Sequence, residues 1–329
     1  MKNFTYKGKI ELRPEPINLV DNDLYLFQHE FQKEINDSSV SIEKNIYLLG
    51  KNVINFKKFK IYLKHTYMNK PPLKNIFKTI LKYWKIRFRQ IKKINSGVWV
   101  INNKSENYFH WMTEVLARVL SFQKLGNKQT ILLPAHFENL EFVPRTLDLL
   151  NVKYETYSSE NLVKVKELFL TNHTAPAGNY NSNIIKDLNI KLNNNTKSID
   201  GKRLWVSRKY SNRRFLLNEK EIEPILREFE IQIVYPEQLD YSQQNMLFRE
   251  AQFLGGIAGA ALANMLYMEM NSTILEVRAR NDDLNNCHYS LACALENNFY
   301  YMICDNDSDY NSIVNANELR KNLTKIFKR

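Results

Sequence analysis

From about residue 97 onward, apolar runs alternate with amphipathic stretches, and this alternation is the strongest constraint on the fold. Strands are predicted at GVWVIN (97–102), QTILLP (129–134), KYETYS (153–158), KVKELFLTNH (164–173), RLWVS (203–207), IQIVY (231–235), FLGGI (253–257), TILEV (273–277) and YYMIC (300–304). Helices are predicted between and after them, at 107–120, 141–151, 181–194, 218–230, 240–251, from 259, 285–297 and 315–327. Strands that alternate with helices form parallel sheets, so we expect an α/β fold of two Rossmann-like domains.

A polar, turn-rich stretch, NNNTKSIDG (193–201), interrupts the alternation and indicates a domain boundary. We therefore expect an N-terminal domain over 1–196 and a C-terminal domain over 197–329. Three cysteines without C-x-x-C spacing favour a reducing compartment over a disulfide framework or a zinc site. The N-terminus has no apolar signal core, and no run of 18 apolar residues predicts a membrane-spanning helix.

The positive charge is concentrated in one part of the chain. Residues 51–95 contain 14 Lys and Arg and no Asp or Glu, although the whole chain carries only +12. Within them, 70–94 has apolar residues at helical spacing and lysines between them, which predicts a basic amphipathic helix. Such a helix packs on its own core with a solvated basic face, or lies on an anionic membrane surface. No nucleic-acid-binding motif accompanies the charge, so we expect no nucleic-acid partner.

The predicted helix 107–120, NYFHWMTEVLARVL, carries three ionisable residues, His110, Glu114 and Arg118, at intervals of four. On a regular helix, positions four apart lie about 40° apart, so all three share one stripe. By spacing alone, a Glu–Arg pair one turn apart is an ordinary surface salt bridge. The alternative is a catalytic stripe with apolar neighbours that bury it, and Asn107 lies at its start.

Three further candidates follow predicted strands, where parallel sheets bind ligands. The loop after 203–207 carries Arg208, Arg213 and Arg214, whose guanidinium groups suit phosphate oxygens, although a solvated basic loop has the same composition.

A small-residue turn follows strand 253–257 and leads into the next predicted helix. Gly259 and Ala260 allow a phosphate to approach the helix start, and Asn264 lies one turn further on. Close helix–strand packing explains the same pattern, since no Walker or G-x-G-x-x-G motif is present. Glu276 ends the apolar strand 273–277, where a carboxylate either accepts from a sugar diol or is an ordinary strand-end acid.

These motifs together resemble glycosyltransferase family 61, whose bacterial members are often described as capsular polysaccharide biosynthesis proteins. In order, they are N-x-x-H-W-x-x-E-x-L-x-R, S-R with R-R-x-L-x-N-E, G-A-A-L-A-N-M-L-Y-M, and S-T-I-L-E-V, over about residues 97–280. The resemblance implies a GT-B-like fold, two Rossmann-like domains facing across a cleft. It also implies nucleotide-sugar donors and inversion at the anomeric carbon. By motif match, Arg208 and Arg214 correspond to the family's basic loop, and Gly259 and Asn264 to its donor-side turn. Many members carry His-Gly-Ala-Gly in that turn, whereas Ala258 occupies the histidine position here.

An inverting transfer needs a general base for the acceptor hydroxyl. We expect Glu114 to be that base, with His110 as the alternative or a substrate-binding group, and Arg118 and Asn107 to orient groups or bind acceptor. The expected donor-binding residues are Arg208, Arg213, Arg214, Gly259, Ala260, Asn264 and Glu276.

No cofactor or metal is expected beyond the nucleotide-sugar co-substrate. Two triplets, Asp305-Asn306-Asp307 and Asp307-Ser308-Asp309, resemble the D-x-D metal motif, but their Asn/Asp/Ser-rich surroundings favour a solvated loop. The expected acceptor is a capsule or lipopolysaccharide glycan, free or lipid-linked, and the expected location is cytoplasmic, peripheral on the inner face of the membrane. One alternative is a phosphorylase or nucleotide-sugar-modifying enzyme. Another is a catalytically degenerate family member that only binds nucleotide or glycan.

Overall fold

A computed structural model describes residues 2–58, 60–67, 71–86, 91–193, 201–211, 214–280, 286–309 and 311–328. Within them the chain forms two compact units. Unit 1 comprises Met1–Lys9 and Glu34–Lys191, and unit 2 comprises Ile10–Lys33 and Leu192–Arg329.

The strands alternate with helices through most of the chain, as the sequence predicts. The strands are β1 (Lys2–Tyr6), β2 (Lys9–Leu12), β3 (Gln32–Ile35), β4 (Ser38–Leu49), β5 (Asn52–Asn55), β6 (Lys60–Ile61), β7 (Lys92–Trp99), β8 (Ile131–Pro134), β9 (Tyr154–Tyr157), β10 (Val163–Thr171), β11 (Lys202–Val206), β12 (Gln232–Val234), β13 (Ala251–Ile257), β14 (Thr273–Ala279), β15 (Asn298–Asn306) and β16 (Ser312–Ile313). The α-helices are α1 (Leu24–Phe27), α2 (Leu63–Thr66), α3 (Leu73–Ile86), α4 (Tyr108–His110), α5 (Leu116–Gln123), α6 (Phe142–Leu149), α7 (Ser182–Asn193), α8 (Glu219–Glu228), α9 (Tyr241–Arg249), α10 (Cys287–Ala294) and α11 (Ala316–Phe327). Short 3₁₀ helices span Asp21–Asp23, Gln28–Glu30, Ala135–Asn139, Pro236–Gln238 and Ala260–Tyr267, and a π-helical turn spans Trp111–Val115.

The main sheet of unit 1 is mixed rather than parallel. Its order is β6-β5-β4-β10-β7-β8-β9, and β1 also pairs with β4. Strands β10, β7, β8 and β9 are parallel, as the alternation predicts. The long strand β4 runs antiparallel to β10, β5 and β1, so the expectation of a purely parallel sheet is wrong for this half. The antiparallel strands lie in the first 61 residues, where connections are too short to hold crossover helices.

Unit 2 follows the predicted alternation closely. Its sheet has the order β12-β11-β13-β14-β15-β16, and every neighbouring pair is parallel except β15 with β16. Apolar side chains on one sheet face, including Trp205, Phe253 and Leu275, pack with α8 and α11 in a continuous core. An α/β fold is therefore confirmed.

One segment lies in a different unit from the one the sequence suggested. A division at 196/197 puts residues 10–33 in the first domain, whereas they pack within unit 2. The Asn18 side chain donates to the Tyr301 carbonyl at 2.7 Å, and the Tyr289 hydroxyl donates to the Pro14 carbonyl at 2.7 Å. These contacts join residues more than 270 positions apart, which local patterns cannot reveal. The stretch proposed as the boundary falls mostly in 194–200, outside the described residues.

The basic segment 70–94 contains a shorter helix than predicted. Helix α3 spans Leu73–Ile86, and 70 and 87–90 lie outside the described residues. Residues from Lys92 onward form β7, so the helical prediction is wrong there. Its residues Lys92–Ile94 pair with Val163–Val165 of β10, and these sheet hydrogen bonds override the helical spacing. No helix among the described residues is long and apolar enough to cross a membrane.

Candidate active site

The stretch that begins at Asn107 is helical throughout but is not one regular α-helix. Asn107 caps it, since its side-chain oxygen accepts from the Phe109 N–H at 3.0 Å. A π-helical turn over Trp111–Val115 separates α4 from α5. Hydrogen bonds from i to i+5 widen that turn, and such bulges often occur at functional sites. The wider turn changes the angular spacing, so His110, Glu114 and Arg118 do not form the simple stripe that the sequence predicts.

Glu114 is a buried carboxylate that neighbouring groups hold in place. Its side chain is only 2% exposed. Oε1 accepts from His110 Nδ1 at 2.8 Å and from the Ala177 N–H at 3.1 Å. Oε2 accepts from the Asn102 side chain at 3.3 Å. Three donors therefore fix the carboxylate and leave little room for a substrate hydroxyl.

His110 is the open member of this pair, with 18% of its side chain exposed. An ionised carboxylate only accepts hydrogen bonds, so the proton of the neutral ring lies on Nδ1, toward Glu114. Nε2 is then the unprotonated acceptor, and it makes no hydrogen bond with any described residue. A buried carboxylate that orients a partly exposed imidazole is the arrangement that makes histidine a directed general base.

Arg118 lies deeper and bonds elsewhere. It is fully buried, and its guanidinium donates to the Thr171 hydroxyl at 2.8 Å and to the Thr171 carbonyl at 2.9 Å. It also donates to the His65 carbonyl at 3.2 Å. Burial lowers the pKa of Arg118, and the charge of Glu114 partly opposes this effect. No direct ion pair joins Glu114 and Arg118 among the described contacts, so Arg118 acts on Glu114 through the electric field and the packing of β10.

Two histidines that the sequence did not single out, His65 and His173, lie near Arg118. His65 Nδ1 is 2.8 Å from the Thr171 carbonyl, and His173 Nε2 is 3.2 Å from the Tyr67 carbonyl. Burial, reinforced by the charge of Arg118, lowers the pKa of His173 to about 3 and also lowers that of His65. His173 follows β10, but the strand predicted from the sequence ran through 173, so His173 was not seen as a strand-end residue. His65 lies in α2, where the sequence gives no element prediction.

In unit 2, the structure brings together the basic loop and the small-residue turn. Gly259 is buried against the Arg208 guanidinium. A Cβ added at residue 259 would lie much closer to that guanidinium than the 3.0 Å minimum of real Cβ contacts. Arg208 Nε donates to the Arg214 carbonyl at 2.9 Å, which fixes the guanidinium over the turn. Both segments follow the carboxyl ends of neighbouring strands, β11 and β13. Arg213 lies outside the described residues.

The remaining donor-side candidates differ in accessibility. Ala260 begins the 3₁₀ helix Ala260–Tyr267, which stands where an α-helix was predicted, and it is partly exposed. Asn264 is fully buried. Glu276 is 1% exposed, and its Oε1 is 2.7 Å from His288 Nδ1 on α10. Burial alone raises the pKa of Glu276, but the nearby His288 and Arg278 outweigh it and lower that pKa. In the structure Glu276 thus makes an internal ion pair.

Polar groups that the sequence did not single out lie in and around the loop after β11. The Ser207 hydroxyl donates to Glu219, which also accepts from the Tyr235 hydroxyl at 3.4 Å. The Lys209 ammonium lies 5.7 Å from the ring centre of Tyr210. Asn218 occupies the N-cap position of α8, but its side chain makes no capping hydrogen bond. Its side-chain N–H donates instead to the Val314 carbonyl at 2.8 Å, and its side-chain oxygen accepts from the Val314 N–H at 3.0 Å.

The model for "Glycosyltransferase 61" matches residues 108–275. That range is about half of the 329 residues. The chain belongs to glycosyltransferase family 61. No curated protein matches the chain.

The family match runs from the first residue of α4 into β14. It includes the His110–Glu114 pair and the Arg208–Gly259 contact, and therefore spans residues of both units. It excludes the basic residues 51–95, so the family assignment carries no information about α3.

The acidic stretch 305–309, which resembles a D-x-D motif, consists of the last two residues of β15 and the turn that follows them. Asp307 accepts from the backbone N–H groups of Asp309 and Asn311 at 2.9 and 2.8 Å, and hydrogen bonds from Asn311 lower its pKa. Asp305 lies 3.3 Å from Arg280. Among the described residues, no group of three or more His, Cys, Asp or Glu side chains is arranged to hold a metal ion.

Proposed function

We propose that this glycosyltransferase moves a sugar from a nucleotide-sugar donor to a surface-glycan acceptor, with inversion at the anomeric carbon. The observation that carries the proposal is the His110–Glu114 pair in a chain of this family, with His110 open and Glu114 buried. The acceptor class, a capsule or lipopolysaccharide glycan of a bacterium, rests on the family resemblance. The GT-B-like arrangement of the two units also stays a prediction.

In the proposed step, His110 Nε2 takes the proton of the acceptor hydroxyl as its oxygen attacks the anomeric carbon. The bond from that carbon to the diphosphate oxygen breaks, and the nucleoside diphosphate leaves with the electron pair. Glu114 holds the ring through Nδ1 and stabilises the imidazolium that forms. The sequence favours Glu114 as the base, but three donors already occupy its carboxylate, so the geometry favours His110.

The leaving diphosphate gains negative charge, which must be stabilised. We assign this role to Arg208, with Arg214 and the backbone at Gly259 and Ala260, because Arg208 is held against that turn. These cations supply the stabilisation that a metal ion supplies in other transferases, so we expect activity to persist in excess chelator. Strict dependence on manganese or magnesium would contradict this assignment.

A screen of nucleotide sugars, first for thermal stabilisation and then for release of nucleoside diphosphate, tests the function. A donor raises the melting temperature by mass action whether or not turnover follows. With an active donor, we expect His110→Gln and Glu114→Gln to lower kcat by about a hundredfold or more, with donor affinity nearly unchanged. The glutamine amide at 114 donates to Nδ1 and so places the ring proton on Nε2, where it blocks the base. Near-wild-type turnover in either variant would remove the pair from the mechanism.

A second candidate function is binding without turnover, and one observation favours it. Ala258 stands where many family members carry a histidine, so a group that acts at the donor-side turn elsewhere is absent here. A donor that stabilises the protein but is neither hydrolysed nor transferred would support this binding function over catalysis.

A further inference from the structure

Helix α3 (Leu73–Ile86) presents three different faces. At about 100° per residue, Asn75, Ile76, Thr79, Tyr83 and Ile86 share one side of the helix. Along this side, Ile86 and Tyr83 pack with Leu49, Ile54 and Leu162 of unit 1. The Tyr83 ring stacks on Phe56 with 3.8 Å between ring centres. The helix is thus anchored by a face that leaves most of its large apolar side chains on another side.

The second face is apolar and open. Its side chains span an arc of about 100° on the helix. Phe77 is 62% exposed and Trp84 is 57% exposed. The full set comprises Leu73, Phe77, Ile80, Leu81 and Trp84, all exposed. Five large apolar side chains adjacent on one helix face form a contiguous patch of the kind that marks an interaction surface.

The third face is cationic and borders the apolar one. Lys74, Lys78, Lys82 and Lys85 fill the arc of about 80° next to it, and all four are exposed. Acidic residues are absent from the whole of 51–95 in the sequence. The partner of this surface must therefore accept apolar side chains and balance several positive charges at once.

We propose that α3 docks unit 1 on an anionic lipid bilayer, with the apolar face in the acyl boundary and the lysines at the phosphate level. An in-plane amphipathic helix with a basic polar face, and with tryptophan and leucine on the other, has this mode of binding. The proposal does not depend on the catalytic roles proposed above, and α3 lies outside the family match.

A second copy of the chain fits this surface less well. A symmetric pair would place two segments of this basic character against each other. The apolar face also has only five side chains, whereas a standard protein interface uses about 20–30 residues on each side. The positive charge of α3 therefore favours an anionic lipid surface over a second copy of the chain.

The chain provides its own reporter of docking. It has four tryptophans, and Trp99, Trp111 and Trp205 are fully buried, so Trp84 is the exposed one. With vesicles of phosphatidylglycerol and phosphatidylcholine at low salt, we expect a blue shift of tryptophan emission and quenching by brominated acyl chains. Vesicles of phosphatidylcholine alone should give neither effect, and high salt should weaken binding. In Trp84→Phe the blue shift should disappear while co-sedimentation persists.

Variants on each face test the two contributions separately. The triple variant K74Q/K78Q/K85Q should weaken partitioning about fivefold per lysine, or about a hundredfold in all. F77S should weaken it at every salt concentration. The matched control K220Q/K321Q/K325Q removes the same charge from exposed lysines of unit 2. Its affinity for the vesicles should stay within about twofold of the wild-type value, because lower net charge alone weakens binding only slightly. Circular dichroism and the thermal unfolding midpoint check that each variant is folded.

Three results would overturn the proposal. The first is that the folded wild type does not bind anionic vesicles at low salt. The second is that the control triple variant weakens binding as much as K74Q/K78Q/K85Q does. The third is that light scattering shows a dimer, which F77S dissociates.

Discussion

Replacing Gly259 with alanine tests the contact between the donor-side turn and Arg208. The backbone at 259 is extended, so alanine adopts it without strain, and the obstacle is the far end of a flexible side chain. We therefore expect the fold to survive. The Arg208 guanidinium must instead withdraw to ordinary contact, at 3.4 Å or beyond, and so move away from the place where a diphosphate would bind.

The size of the effect follows from the loss of charged hydrogen bonds. A hydrogen bond to a charged group contributes about 1.5–3 kcal/mol, and a displacement of about 1 Å in a positioned group costs up to about a hundredfold. We expect kcat/KM for the donor to fall by about 10- to 100-fold in Gly259→Ala. The melting temperature should change by less than about 2 °C, because a change of 1 kcal/mol in a chain of this size shifts it only a few degrees.

A double-mutant cycle separates this mechanism from a general disturbance of the turn. If alanine at 259 acts only by displacing Arg208, it should have no further effect in the Arg208→Ala background. Steady-state release of nucleoside diphosphate, measured for wild type, both single variants and the double variant, gives the coupling. Additive losses in the double variant would refute the reasoning.

Three further predictions concern stability. His173→Gln should reduce acid sensitivity: the folded pKa of His173, about 3, is below that of a free histidine, so the unfolded state binds the extra proton and stability falls as pH drops below about 6.5. Between pH 7 and 5 the wild type should lose about 2 kcal/mol more than the variant in urea titrations, and parallel curves would contradict this. Glu276→Ala should cost about 1–3 kcal/mol at pH 7, because the buried His288 loses the hydrogen bond between its Nδ1 and Glu276. The pKa of Glu276 is lowered in the fold, so this cost should shrink as the pH falls through that pKa, and a cost that does not change with pH would count against the pairing. Gly97→Ala should cost about 1–3 kcal/mol in the same titrations, because the new methyl group overlaps the Leu132 side chain. An unchanged urea midpoint would contradict this prediction and show that Leu132 moves aside at little cost.

The sequence predicts unit 2 well for a physical reason. Its parallel strands are covered on both faces, so FLGGI is apolar throughout, TILEV is apolar apart from Thr273 and Glu276, and both stand out between amphipathic helices. The antiparallel strand β4, SSVSIEKNIYLL, mixes polar and apolar residues because parts of it are exposed, and it resembles no predicted element. Long-range pairing also escapes local patterns, as with Asn18 and Tyr301.

The candidate site was predicted in part for similar reasons. Spacing alone placed His110 and Glu114 within reach of each other, and the structure confirms that they are hydrogen-bonded. Which of the two faces solvent depends on the donors from Asn102 and Ala177, and the second comes from a loop 63 residues away. The π-helical turn has no local signal either. Spacing also does not show that Arg118 bonds to Thr171 of β10 rather than to Glu114.

The central claim is that His110 takes the acceptor proton and Glu114 only orients it. The most direct test is chemical rescue of His110→Gly with imidazole, because the small base fills the space that the ring leaves beside Glu114. We predict that imidazole restores transfer in His110→Gly in a saturable manner but not in Glu114→Gly. Rescue of Glu114→Gly by formate, with no effect of imidazole on His110→Gly, would contradict the claim and make Glu114 the base.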